Sequence, residues 1–198
     1  MATAKRMKSF NPTIEKSEVA TLPTVQFEGR IITIDTEKDA DKVVLALSRE
    51  KAIGIDTETR PAFRKGIHHK VSLLQLSTSD TCFLIRLCRT GLTDSLVSLL
   101  ENSEIKKIGV SLHDDYHALS GLRKFTPGSF VDLQKQVSNY GIEEMSLQKI
   151  YAIIFGKKIS KSQRLTNWEA DVLTDKQKLY AATDAWACLK IYQHLEEM

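Results

Sequence analysis

GIDTET, residues Gly54–Thr59, is the stretch on which the reading turns. It completes the run Ala52-Ile53-Gly54-Ile55-Asp56, which reads as a buried strand. Asp56 and Glu58 stand two residues apart on that extended chain, so both side chains leave the same face. Acids at the end of a buried strand are costly unless something compensates their charge. Two carboxylates on one face can do so by holding a divalent metal between them.

Outward from this strand the pattern alternates. Arg30–Ile34 (RIITI) reads as a strand, and Thr36–Glu50 as a helix with Thr36 as its cap. Lys70–Thr78 and Thr81–Leu87 read as two strands joined by Ser79-Asp80 in a hairpin. Thr93–Asn102 is helical with Asp94 in its first turn, Glu104–Val110 is a strand, and Leu112–Leu122 is a helix ending near Gly121. Ser146–Gly156 is a helix with a glycine stop, and Thr174–Glu197 is the last and longest helix. Strands first, then alternation, then a helical second half predict an α/β domain with a central mixed sheet flanked by helices. Residues 1–24 read as a flexible or loosely packed arm ending near Leu22-Pro23, and 25–198 as one domain.

Composition narrows the class without deciding it. The 198 residues suit one domain with a substantial core. No run approaches the roughly 18 apolar residues of a membrane span. The start, MATAKRMKSFNPTIEK, has basic residues with no apolar segment after them, which argues against a secretory signal. Cys82, Cys88 and Cys188 form no CxxC pair, so the expectation is reduced thiols in a cytoplasmic protein, each a small buried hydrophobe. The formal charge of +3 is weak evidence for a polyanion partner. Basic residues gather in Arg60–Lys70 and Gly156–Arg164, and on charge alone each cluster reads as a solvated loop.

Two further segments carry acids where the periodicity expects core. In Leu112–Leu122 the inward stripe is Leu112, Tyr116, Leu119 and Leu122. Asp115 falls inside that stripe and Asp114 opposite it. Asp114 reads as an N-terminal helix acid; Asp115 reads equally well as that or as a site acid. In the last helix Tyr180, Asp184, Ala187 and Ile191 form one line in an almost wholly apolar segment. An ionised Asp184 there needs a cation or a hydrogen-bonding neighbour. Four inward carboxylates crowd together only with metal ions, which points to a pair of Mg²⁺ or Mn²⁺ ions.

These segments resemble the motifs of the DEDD-superfamily 3′–5′ exonucleases, in the DEDDy branch near RNase D and the Werner-syndrome exonuclease domain. The first motif is Ile53–Glu58, the second Lys107–Asp115, and the third Tyr180-Ala181-Ala182-Thr183-Asp184-Ala185. KVSLLQLS resembles the strand after the first motif, and SKSQRLTNWEADVLTDKQKLYAATDAW the segment leading into the third. The likeness runs from about Gly29 to the C-terminus. It implies an RNase H-like fold and metal-dependent hydrolysis of single-stranded DNA or RNA from the 3′ end, releasing nucleoside monophosphates. By motif match Asp56, Glu58 and Asp184 bind the ions directly, Asp115 holds the second ion through water, and Tyr180 orients or deprotonates the attacking water. With a pKa near 10 in water, Tyr180 is a poor base, so positioning is its expected role.

The resemblance gives the basic clusters a use. Arg60, Arg64 and Lys65 follow the metal strand, and Lys158, Lys161 and Arg164 precede the last helix, placing either group to contact backbone phosphates. Trp168 offers a base-stacking platform, although a tryptophan before a helix is more often a core anchor. His68 and His69 read as loop residues, since hard cations prefer oxygen. Leu-His-Asp stands before Asp115 where relatives often have a small residue, which leaves His113 and Asp114 beside the site with no role assigned. Two other readings fit the residues less well. A catalytically silent binding module would be favoured by a missing acid, and none is missing. A haloacid-dehalogenase-type phosphatase is imitated by Asp56-Thr57-Glu58-Thr59, but it leaves Tyr180-x-x-x-Asp184 unexplained.

Overall fold

The computed structural model describes residues 10–198. In chain order the elements are α1 (Lys16–Thr21), β1 (Thr24–Val25), β2 (Arg30–Ile34), α2 (Glu37–Leu47), β3 (Ala52–Thr59), β4 (Val71–Ser77), β5 (Thr81–Ile85), α3 (Leu87–Thr90), α4 (Asp94–Glu101), β6 (Lys106–Gly109), α5 (Leu112–Ser120), β7 (Phe130–Asp132), α6 (Leu133–Ser138), α7 (Leu147–Phe155), β8 (Lys158–Ile159) and α8 (Asp175–Glu196). Six strands form the central sheet in the order β2-β5-β4-β3-β6-β7. β4 runs antiparallel to its neighbours β3 and β5, whereas β2, β6 and β7 join by parallel pairing. The sheet is mixed, as the sequence predicts, and no described helix is long and apolar enough to cross a membrane.

Alternation along the strands divides the core. Ile53 and Ile55 of β3 and Leu74 and Leu76 of β4 pack with α2, α4 and α5 on one face. Leu73 of β4 and Leu84 of β5 pack on the other under α8. Helix α8 begins in a capping box: the Thr174 hydroxyl accepts from Gln177 N–H, and Gln177 Oε1 accepts from Thr174 N–H. Its buried side includes Ala181, Ala182, Ala185 and Cys188, and these small residues let the helix lie close on the strands. The approach is closest at Gly54, where an added β-carbon would stand 1.9 Å from the carbonyl oxygen of Ala185.

The expectation of a loose arm over residues 1–24 is corrected for its described part, residues 10–24. Ile14 and Val19 are buried in a small cluster with Ala152 of α7. Phe10 N–H donates to the Tyr140 carbonyl, and β1 pairs in parallel with β8. Apolar side chains at Phe10, Ile14 and Val19 give this segment enough burial to dock. Residues 1–9 lie outside the described residues. The short elements β1, β7 and β8 and helices α1, α3 and α6 also go beyond the sequence expectation.

Replacing Gly54 with alanine should therefore force α8 off the strand. We expect a loss of roughly 1–3 kcal/mol, the usual cost of overpacking a tight core, read by urea denaturation. A loss below about 0.5 kcal/mol, the range of an ordinary surface substitution, would show that α8 is not held at this contact.

Candidate active site at the end of the central strand

β3 outruns its neighbour. It pairs with β6 only over Ala52–Gly54, whereas its pairing with β4 continues to Thr59. Past Gly54 the strand has a free edge, and the acids lie there. α8 crosses above Gly54 and places Asp184 over Asp56 and Glu58. Carboxylate oxygens of Asp56, Glu58 and Asp184 lie within 4.8 Å of one another. Asp184 is 9 % exposed, and Asp56 and Glu58 are half-buried.

Asp115 arrives from the opposite face. After β6 the chain turns through Ser111, held at φ 59°, and α5 starts beside the free edge of β3. Asp132, at the end of β7, fixes this start: its carboxylate accepts from Leu112 N–H at 3.1 Å and from Gln134 N–H at 2.9 Å. Asp115 is 7 % exposed and Asp114 is exposed, in keeping with the helical periodicity. The Thr57 hydroxyl, pointing to the side opposite Asp56, donates to Asp115 Oδ1 at 2.6 Å. Asp115 thus adjoins the three-carboxylate cluster without belonging to it.

Burial and mutual repulsion set the proton affinities. Desolvation leads in raising the Asp56 pKa, followed by the charges of Asp115, Asp184 and Glu58. Burial also pushes Glu58 up to about 8, with Asp184 and Asp115 adding to it and Arg164 opposing. Asp184 rises to about 7 through burial, held back by a hydrogen bond from Tyr180 and by the Lys161 charge. Asp115 rises to about 6, again through burial, with the Thr57 bond opposing. Tyr180 is half-buried, and desolvation leads in raising its pKa, with the charges of Asp184 and Glu58 adding to it. An all-oxygen donor set of this kind fits a hard divalent cation, whose charge would relieve the repulsion.

The predicted nucleic-acid residues divide. Arg64, Lys65, Lys161 and Arg164 are exposed. The electrostatic influence of Arg164 on Glu58 and of Lys161 on Asp184 places both near the acids. Gln177 fixes that segment by donating to Thr166 Oγ1 and the Asn167 carbonyl. Arg60 is paired with Glu169 at 3.1 Å, and His69 Nδ1 lies 3.5 Å from the same carboxylate. Two expectations fail. Trp168 is fully buried, its ring 6.0 Å from that of Tyr180, so it is a core anchor and no stacking platform; an indole contributes more under α8 than in solvent. The Lys158 ammonium donates to the Ala20 carbonyl and its backbone pairs with β1, so it serves the N-terminal segment.

Sequence reasoning passed over three residues. Thr57 sits between the acids and holds Asp115. Glu169 ties the loop after β3 to the segment before α8. Gln75, a lone amide inside the run LLQL, faces Asp56 across the sheet. Only the last left a readable signal, a polar residue inside a wholly apolar strand.

A cleft of about 390 Å³ lies between the loop after β3 and the segment before α8, lined by Arg60, Phe63, Arg64, Ile67, His69 and Leu165 among others. Phe63 is 80 % exposed and Leu165 66 %.

A family model described as 3′–5′ exonuclease matches residues 31–198. The chain is 36 % identical over 187 residues to the mouse bifunctional 3′–5′ exonuclease/ATP-dependent helicase WRN, covering 88 % of this chain and 13 % of that protein. It is 29 % identical to a 3′–5′ exonuclease of Arabidopsis thaliana, covering 93 % of this chain and 70 % of the relative. The fold is that of Escherichia coli RNase D, an exoribonuclease involved in structured RNA processing, with a TM-score of 0.76 at 23 % identity over 85 % of this chain and 44 % of that one.

The raised acids give the metal-free protein a defined pH dependence. Between the unfolded carboxyl pKa, near 4.5 for Glu58, and about 8, the folded state holds more protons than the unfolded state. The contribution of these acids to stability therefore falls as pH rises through this window. We expect the thermal midpoint of metal-free protein to drop from pH 5 to pH 8, and millimolar Mg²⁺ or Mn²⁺ to raise it at pH 8 much more than at pH 5. Asp184→Asn should weaken both effects; an unchanged pH profile in that variant would show that the cluster is not their source.

Proposed function

The chain belongs to the 3′–5′ exonuclease family, and from that premise we propose that it hydrolyses phosphodiester bonds at the 3′ ends of single-stranded DNA or RNA, releasing nucleoside 5′-monophosphates. The observation that carries this reading is the convergence of Asp56, Glu58 and Asp184 from a strand and a helix distant in sequence, with Tyr180 hydrogen-bonded to Asp184. Two divalent ions, Mg²⁺ or Mn²⁺, are the cofactors of this proposal. Bound there, they would supply an acidified water and stabilise the departing 3′ oxygen.

The chain's own groups do the rest. Asp56, Glu58 and Asp184 would hold the ions directly. Asp115, kept in place by Thr57, would reach the second ion through water. Burial, with the nearby carboxylates adding to it, raises the Tyr180 pKa. A phenol is a poor base at neutral pH even in water, so the role given to Tyr180 is to orient the attacking water.

The strand enters over exposed cations. Arg64, Lys65, Lys161 and Arg164 take backbone phosphates, and Arg60 lines the same cleft while paired with Glu169. Phe63 and Leu165 take the part given above to Trp168, offering apolar surface to base faces. Phosphates and base faces are common to DNA and RNA, so both are proposed as substrates.

A 5′-labelled single-stranded DNA and an RNA of matched sequence, incubated with Mg²⁺, Mn²⁺ or EDTA, test the proposal. We expect a ladder shortening from the 3′ end, abolished by EDTA and by Asp56→Ala. Tyr180→Phe should lower kcat by roughly a hundredfold with KM little changed, as for a misplaced reactant. Phe63→Ala should raise KM roughly tenfold, the loss of one base-stacking contact, and spare kcat. Binding without a ladder on either strand would leave the chain a silent binding module.

A further inference from the structure

Gln75 lies in the middle of β4, a strand buried along its whole length, and is itself 0 % exposed. Neither its Oε1 nor its Nε2 has a hydrogen-bond partner. An amide left so deep in an apolar layer lowers stability, and natural cores carry few such groups. Leucine at this position would match Leu73, Leu74 and Leu76 around it. The amide therefore needs a reason.

The sheet register supplies one. Gln75 stands directly opposite Asp56 in the antiparallel β3–β4 pair, so the two side chains share a face with β-carbons about 4.5–5.5 Å apart. Across the other ladder its partner is Leu84, which offers no polar atom. Ser77, two residues along on the same face, already donates to the Thr78 carbonyl. Above lies α8 with Asp184, one residue before the Ala185 contact with Gly54. Asp56 Oδ1 accepts from Thr57 N–H at 2.9 Å. The carboxylate of Asp56 is thus the charged acceptor opposite Gln75 on the sheet.

We infer that Gln75 is a positioning residue for the cation site: its Nε2–H₂, which has no partner in this structure, turns to donate to the Asp56 carboxylate when a cation is bound and fixes the orientation of that ligand. The inference rests on the reading of Asp56 as an ion ligand. It explains why a strand of leucines keeps one amide. It also gives the amide its partner in the ionised state of Asp56, the state a cation requires.

The test uses Gln75→Met, which keeps the volume and removes the donor. Mn²⁺ binding to the full chain is measured by electron paramagnetic resonance, with thermal unfolding of metal-free protein alongside. Mn²⁺ affinity should fall about 10–100-fold, the usual effect of losing a group that orients a metal ligand, while the metal-free midpoint stays level or rises. A purely structural amide predicts an altered midpoint with Mn²⁺ affinity within twofold of wild type, and that result would overturn the inference. If wild-type protein itself binds no Mn²⁺, both the inference and the reading of the acids fall. Should Gln75→Met not fold, the side-chain NH₂ resonances of Gln75 in wild-type protein decide. They should shift as Mg²⁺ is added; if they stay still while the Thr57 backbone amide moves, Gln75 holds nothing.

Discussion

Helix α8 can lie on β3 only because Gly54 has no side chain; the Ala185 carbonyl occupies the space a β-carbon would need. That contact fixes the relative height of the two elements that carry the acids. Asp56 is two residues past the contact on the strand, and Asp184 is one residue before it on the helix. Their meeting follows from backbone packing, and Glu58 joins because it shares the face of Asp56. Apolar burial supplies the force. The alanines of α8 and the leucines of β4 and β5 draw the helix down, and the carboxylates come together as a consequence. The raised pKa values of Glu58 and Asp184 register that tension, with burial the leading cause for each. A cation would relieve the repulsion in an arrangement that the core imposes on unwilling groups.

The remaining parts of the site are held by short polar ties. β6 stops early and frees the edge of β3, so α5 can present Asp115 from the other side of the sheet. Asp132 ties the first turn of α5, and Thr57 ties Asp115 itself. Thr57 lies between two acids of the opposite face, so strand alternation makes one tripeptide serve both sides. Near the other end of the site, Gln177 secures Thr166 and Asn167, which keeps the neighbouring Arg164 beside Glu58.

Periodicity made the long elements legible. β2, β4 and β5 and helices α2, α4, α5, α7 and α8 lie within a residue or a few of their expected bounds, because each repeats its apolar pattern over enough residues to be read locally. Asp115 was separable from Asp114 by the same arithmetic. The two- and three-residue strands β1, β7 and β8 were not legible, since parallel partners far along the chain define them. Trp168 and Lys158 misled for a related reason. Residue type says what a side chain can do, but whether Trp168 faces solvent or the underside of α8 depends on a packing arrangement no local window contains. The docking of residues 10–24 depends likewise on a surface of α7 more than a hundred residues away.

Glu169 joins the rigid and the exposed halves of the site. One carboxylate, on the segment leading to α8, meets both Arg60 and His69, which begin and end the loop after β3. The loop carries Phe63 and Arg64, while the segment before Glu169 carries Leu165 and Thr166, so Glu169 links the two walls of the cleft. Arg60 lies two residues beyond Glu58, and Trp168, adjacent to Glu169, packs beside Tyr180. The cleft is therefore anchored to the same strand and the same helix as the acids. The lining of the cleft and the carboxylate cluster are thus neighbouring stretches of the same two segments, so the position of one fixes the position of the other.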